Sequence, residues 1–207
     1  MKNTITTVAL IGTLIASITT SVVAAQDAVH FNAPIDFAGT GCPADSLTAT
    51  VNGTTLSIFF EDYFVESELK RISCDFAVPV HVPAGWQVSL ITADWRGEAI
   101  GEAELHREYF FAGQTDGINI LTSFNDDYYT KHDKNYVERD SLEPSVYTAC
   151  QSEDRDVVLR INSSIRTIND TSSIYMDTID MDNKVILKLN SRTCRRDGLP
   201  FIPLLLL

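Results

Sequence analysis

The chain is short of cations, of closely spaced cysteines and, beyond its first 25 residues, of long apolar runs. Each lack removes a class of function. Sixteen Lys and Arg stand against 28 Asp and Glu, for a formal net charge of −12. So acidic a surface repels nucleic acid and anionic lipid, which argues against both as partners. No CxxC spacing occurs, and His30, His81, His106 and His132 are scattered along the chain. That argues against a metal site built on the cysteines, and each histidine reads as an ordinary surface or packing residue. There is no GxSxG elbow, no HExxH and no P-loop. Adjacent carboxylates such as Glu61-Asp62 and Asp126-Asp127 are expected in an acidic chain. They do not by themselves make a glycosidase cleft, which needs two carboxyls facing each other. The reading is non-enzymatic, with no catalytic residue and no cofactor other than the calcium considered below.

What is present begins with a leader. Lys2 supplies a short positive start, Thr4 to Val23 carries no charge, and Val23-Ala24-Ala25 offers small residues at −3 and −1. This predicts a signal peptide over 1–25 and a mature start at Gln26. The competing reading is a membrane anchor, since about 20 apolar residues can cross a bilayer. No later stretch is long enough, so no membrane span is expected after cleavage. The expected location is secreted or extracellular, with periplasm or cell surface as the bacterial equivalents. Cys42, Cys74, Cys150 and Cys194 fit an oxidising compartment and two disulfides. Four cysteines allow three connectivities. The shorter loops favour Cys42–Cys74 and Cys150–Cys194, one in each half of the chain.

The patterned part is of period two. Leu56, Ile58 and Phe60 share one face, as do Phe76, Val78, Val80 and Val82, then Trp86, Val88 and Leu90. Leu105, Arg107, Tyr109 and Phe111 follow, then Val157, Leu159, Ile161 and Ile165, and finally Val185, Leu187 and Leu189. Pro79 cannot donate a ladder hydrogen bond, which predicts an edge strand there. No segment shows a sustained helical stripe. Some ten short strands predict an all-β fold, an antiparallel two-sheet β-sandwich of jelly-roll or immunoglobulin-like type, tied by two disulfides. The expected organisation is one sandwich domain over 26–198 and an apolar C-terminal tail over 199–207. Between Gln114 and Glu143 the period weakens, which predicts a long loop or irregular hairpin, a common place for binding.

An ordered set of short motifs carries a resemblance. Gly41-Cys42-Pro43 stands near the mature start, and Arg71-Ile72-Ser73-Cys74 closes the first cysteine loop. Pro83-Ala84-Gly85-Trp86, Asp94-Trp95-Arg96-Gly97 and Tyr109-Phe110-Phe111 follow. Ala149-Cys150, Leu159-Arg160-Ile161-Asn162, Ser163-Ser164-Ile165-Arg166 and Arg192 complete the order. From Cys42 to Cys194 the chain resembles the secreted domain of unknown function 4360, found in bacteria and fungi. Ser191 departs from it, where the family often has a tryptophan, and so does Thr178, where a serine commonly follows the aspartate matched here by Asp177. The resemblance implies a secreted, disulfide-bearing β domain and brings no established activity.

The sharpest candidate for chemistry is Met176-Asp177-Thr178-Ile179-Asp180-Met181-Asp182-Asn183. Asp177, Asp180 and Asp182 offer the oxygens that calcium prefers. The glycine and terminal glutamate of an EF-hand loop are missing, and Asp177 would point away from the other two unless the chain bends. The competing reading is a solvated turn. Three sequons, at Asn52, Asn162 and Asn169, count as glycosylation sites if the source is a eukaryote. The stretch from Leu199 to Leu207 has no polar side chain, which suits an interaction surface and homo-oligomer formation. The function that follows is a secreted binding protein for a surface glycan or envelope component, its partner a carbohydrate or an extracellular protein. Exposed tyrosines among acids suit sugar rings and hydroxyls. The alternative is a structural or assembly subunit of an extracellular fibre, coat or matrix.

Overall fold

A computed structural model describes residues 28–66, 70–114, 117–129, 134–142, 147–176 and 184–194. The expected leader over 1–25, His132, the aspartates Asp177, Asp180 and Asp182, and the expected tail over 199–207 lie outside the described residues. Those residues form thirteen strands and one four-residue helical turn, arranged in two antiparallel sheets.

In the first sheet, β1 (His30–Phe31) and β2 (Asp36–Ala38) lie along one edge of β6 (Arg71–Val82). Then come β11 (Arg155–Thr167), β8 (Ala103–Phe111) and β9 (Ile118–Phe124). The second sheet runs β3 (Leu47–Asn52), β4 (Thr55–Phe60), β13 (Val185–Thr193), β7 (Trp86–Ile100) and β10 (Asn135–Ser141). Two short strands prolong its lines. β12 (Ser173–Tyr175) pairs with the far end of β7, and β5 (Phe64–Glu66) pairs with β12. β12 and β13 share one edge of β7 and β10 takes the other, because Glu98 pairs with both Tyr175 and Asn135, and Asp94 with both Ile186 and Arg139.

The alternating sets become the core. Leu56, Ile58, Val78, Val80, Val88, Trp95, Leu105, Ile161, Ile165 and Leu187 are each fully buried between the sheets. Successive strands mostly alternate between sheets, so each hydrophobic face meets one contributed from far along the chain. Cys42–Cys74 ties the segment before β3 to the middle of β6, with the Cα atoms 5.4 Å apart. Cys150–Cys194 joins the approach to β11 to the end of β13, 5.8 Å apart. Beside it, the Cys194 amide donates to the Gly85 carbonyl at 2.6 Å and the Gly85 amide to Gln151 at 3.0 Å.

Two expectations change. The strand holding Pro79 is not at the edge, since β1 and β2 flank it. Proline is tolerated because the Pro79 carbonyl accepts from Asn32 at 2.8 Å on that side. Its nitrogen faces the same way, into the gap between β1 and β2, where no ladder donor is needed. The stretch from Gln114 to Glu143 is not a loop throughout, nor a hairpin. It holds β9 in one sheet and β10 in the other, joined through the helical turn α1 (Asp126–Tyr129). The apolar period is weak there because β10 turns Tyr136, Glu138 and Asp140 inward, and two of the three are carboxylates.

Those carboxylates have a buried cation to meet. Arg107, in the inward set of β8, has no exposed surface. Its Nε donates to Asp140 Oδ2 at 2.9 Å and its Nη2 to Oδ1 at 2.6 Å. Its Nη1 donates to the Leu105 carbonyl and to Thr122 Oγ1. The Tyr109 hydroxyl donates to Asp140 and accepts from Trp95 Nε1, both at 2.5 Å. Burial first, and then the Asp140 charge, push the Tyr109 phenol far above its ordinary range, so it stays protonated. Each buried polar group in this cluster has a partner, which is what lets it sit in an apolar interior.

Candidate functional site

One row across four strands of the second sheet combines exposed aromatic surface with polar side chains. Phe64 on β5 pairs with Tyr175 on β12, Tyr175 with Glu98 on β7, and Glu98 with Asn135 on β10. Their neighbours Val65, Ile174, Ala99 and Tyr136 are buried. Strand alternation therefore puts the row itself on the outer face. Phe64 is 40 % exposed. Its ring lies stacked against that of Tyr175, the centroids 5.9 Å apart and the planes 17° apart. The Tyr175 hydroxyl donates to the Glu66 carboxylate. Burial, then that hydrogen bond, raise the Tyr175 phenol above its ordinary value, and the Glu98 charge adds to the shift. In the adjoining register, Arg96 pairs with Val137, which is 56 % exposed.

The support for this row comes from below. The backbone at Gly97 passes so close to its neighbours that an added Cβ would stand 2.1 Å from the Tyr175 carbonyl oxygen and 2.5 Å from the Tyr136 hydroxyl. Tyr136 fills the space beneath, 2 % exposed, with its ring centroid 4.7 Å from that of Phe124. Only glycine permits so close an approach of strand, carbonyl and ring. Gly97→Ala is therefore expected to cost about 1–3 kcal/mol through overpacking. It should also displace Tyr175, so thermal unfolding and ligand titration should fall together. A variant with unchanged melting temperature would show that the strand yields freely.

Described residues that flank two sequence candidates lie beside this row. The aspartate-rich connection leaves the sheet after Met176, whose amide donates to the Tyr63 carbonyl at 2.9 Å. It rejoins at Lys184, whose carbonyl accepts from the Arg96 amide at 3.1 Å. Asp177, Asp180 and Asp182 belong to that connection, outside the described residues. The polar-aromatic stretch around α1 returns through Lys134, whose carbonyl accepts from Ala99 at 3.0 Å. Tyr129 at the end of α1 donates to the Gly101 carbonyl at 2.9 Å, and Tyr128 to Glu138 at 3.0 Å.

The sequons lie elsewhere. Asn52 is exposed at the β3–β4 turn. Asn162 faces outward from β11, and its Nδ2 donates to Glu108 at 2.9 Å. Asn169 accepts from Thr171 Oγ1 at 2.9 Å and from Ser172 Oγ at 2.5 Å. The Phe64–Tyr175 pair itself escaped sequence reasoning, because both strands are only three residues long and the two residues stand far apart in the sequence. The chemistry of the row is non-covalent: two ring faces, carboxylates that accept hydroxyl hydrogens, and an amide that does both.

The chain is similar to the following known proteins. A chain described as "Uncharacterized secreted protein" from Arthroderma benhamiae is 25 % identical over 186 residues, covering 81 % of this chain and 73 % of that one. Together with the two disulfides, this places the protein among secreted proteins. Among solved structures, TmCBM61 in complex with beta-1,4-galactotriose aligns over 77 % of this chain and 88 % of that one, with 7 % identity and a TM-score of 0.35. Among the described residues no helix is long and apolar enough to cross a membrane. The model of the family described as "Domain of unknown function (DUF4360)" matches residues 33–194, nearly all of the two-sheet domain, and the chain belongs to that family.

Proposed function

We propose that this protein is a secreted, non-catalytic glycan-binding domain, and that the row Phe64, Tyr175, Glu98 and Asn135 is its contact surface. The observation that carries the reading is the exposed Phe64 ring stacked on the partly buried Tyr175, beside carboxylate and amide groups on a sheet face. Sugar rings offer apolar C–H faces to aromatic rings and hydroxyls to carboxylates and amides. The pair is displayed on strands rather than on loops, which keeps its geometry rigid before binding. A net charge of −12 favours neutral or amino sugars over uronic acids and sulfated chains.

The test is a glycan array on the purified secreted protein, followed by calorimetric titration of the best neutral oligosaccharide. Phe64→Ala and Tyr175→Ala should each weaken binding by at least about tenfold, equivalent to roughly 1.4 kcal/mol. Phe64→Ala should leave the melting temperature nearly unchanged, since that side chain is substantially exposed. Full affinity in the double variant, or retention of acidic glycans only, would remove this face from consideration.

A further inference from the structure

The sheet opposite the aromatic row juxtaposes two histidines that are 51 positions apart in sequence. His30 on β1 and His81 on β6 are direct cross-strand partners, and Asp156 on β11 is the partner of His81 on its other side. Imidazole, imidazole and carboxylate therefore form one row across three strands. The two rings lie with centroids 5.0 Å apart and planes tilted by 35°. His30 reaches this position because Phe31 anchors the short strand β1: its side chain is 1 % exposed and its amide donates to Gly53 at 2.9 Å.

The outer hydrogen bonds set the tautomers. His30 Nδ1 lies 2.7 Å from the Ala28 carbonyl oxygen, which can only accept. In its neutral form His30 therefore carries the proton on Nδ1 and the lone pair on Nε2. His81 Nδ1 lies 3.2 Å from Asp156 Oδ1, again an acceptor, so its proton is on Nδ1 too. Asn32 Nδ2 donates to the same carboxylate oxygen at 3.2 Å and holds it in place. His81 Nε2 is buried and has no hydrogen-bond partner. A neutral imidazole with Nδ1–H held by a carbonyl or carboxylate and a free Nε2 is the form that ligates transition metals. Like charge on two such close rings is unfavourable, whereas a shared cation reverses the sign of the interaction.

We propose that His30 and His81 form a two-nitrogen site for a divalent transition metal, with Asp156 as the carboxylate that orients His81. Nitrogen donors select copper, nickel and zinc over calcium and magnesium, with copper bound most tightly. Among the described residues no group of three or more His, Cys, Asp or Glu closes into a metal cage. The site is thus a two-nitrogen chelate between β1 and β6, with one donor on the partly exposed His30 and the other the buried His81 Nε2. It stands on a different sheet from the aromatic row and is independent of the glycan reading.

The test uses the tag-free mature protein after exhaustive chelator treatment, titrated calorimetrically with Cu2+, Zn2+ and Ca2+. One equivalent of Cu2+ and one of Zn2+ should bind, copper more tightly, with no heat from Ca2+ at this site. His30→Gln and His81→Gln should each weaken Zn2+ binding at least about tenfold, and Asp156→Asn by about tenfold or more. His106→Gln serves as the control, since His106 is paired with Asn119 at 2.7 Å away from this row. Electron spin resonance of the Cu2+ form should show coupling to two imidazole nitrogens, falling to one in either histidine variant. If His81→Gln fails to fold, His30→Gln decides alone, because His30 is half-exposed on a two-residue strand. Unchanged Zn2+ affinity in His30→Gln, or no binding by the parent protein at millimolar metal, would overturn the proposal.

Discussion

Asp140→Ala should remove about 3–5 kcal/mol of folding stability, among the largest losses available from a single substitution here. The reason is the charge left behind. Arg107 is fully buried and gives two of its hydrogen bonds to Asp140. Without that carboxylate the guanidinium is a desolvated cation with only the Leu105 carbonyl and Thr122 hydroxyl as partners. Tyr109 also loses its acceptor, and Trp95 donates to a hydroxyl that is no longer held. The double variant Arg107→Met with Asp140→Leu should lose much less than Asp140→Ala, because removing both charges avoids the unpaired ion. Denaturant unfolding of the parent, both single variants and the double variant gives the coupling directly. A loss below about 1 kcal/mol for Asp140→Ala would mean that water reaches Arg107 and that the cluster is not a closed one.

Removing the Cys42–Cys74 bridge by Cys42→Ala with Cys74→Ala should cost about 4 kcal/mol on the chain-entropy model, for a sequence separation of 32. In a domain of this size that corresponds to roughly 8–16 °C in melting temperature. The entropy model gives nearly the same value for Cys150–Cys194, whose separation is 44. The two should still differ. Cys42 and Cys74 are 2 % and 0 % exposed, so their removal also leaves a cavity, whereas Cys150 is exposed. Melting temperatures of the two double variants, measured without reductant, should therefore rank the Cys42–Cys74 variant lower. Equal or reversed ranking would mean that chain entropy alone governs both bridges.

The sequence and the structure agree where one strand face is uniformly apolar. Phe76, Val78, Val80 and Val82 alternate with Ala77, Pro79 and His81, and β6 follows that alternation over its whole length. Agreement fails where an inward position is charged. Arg107 sits in phase with Leu105 and Tyr109, but its partner Asp140 is 33 residues away on a strand whose own inward face is Tyr136, Glu138 and Asp140. Hydrophobic periodicity cannot register a buried ion pair, so β10 read as part of a loop. The histidines read as scattered for a related reason. Their distance along the chain is large, and only the pairing of β1 with β6 brings the rings together.

Local chemistry was enough for the fold class: period-two alternation, a lack of helical stripes and four cysteines dictate a disulfide-tied antiparallel sandwich. Register and sheet membership belonged to the tertiary structure. Pairing Phe64 with Tyr175 across β5 and β12 made an aromatic platform from residues with no sequence relation. Pairing His30 with His81 made a two-imidazole row in the same way. The physical reason is that burying an apolar face needs only the pattern within one strand. A site on the opposite, solvent-facing side depends on which strand lies next to it and in what register, and that is settled only when the whole core closes.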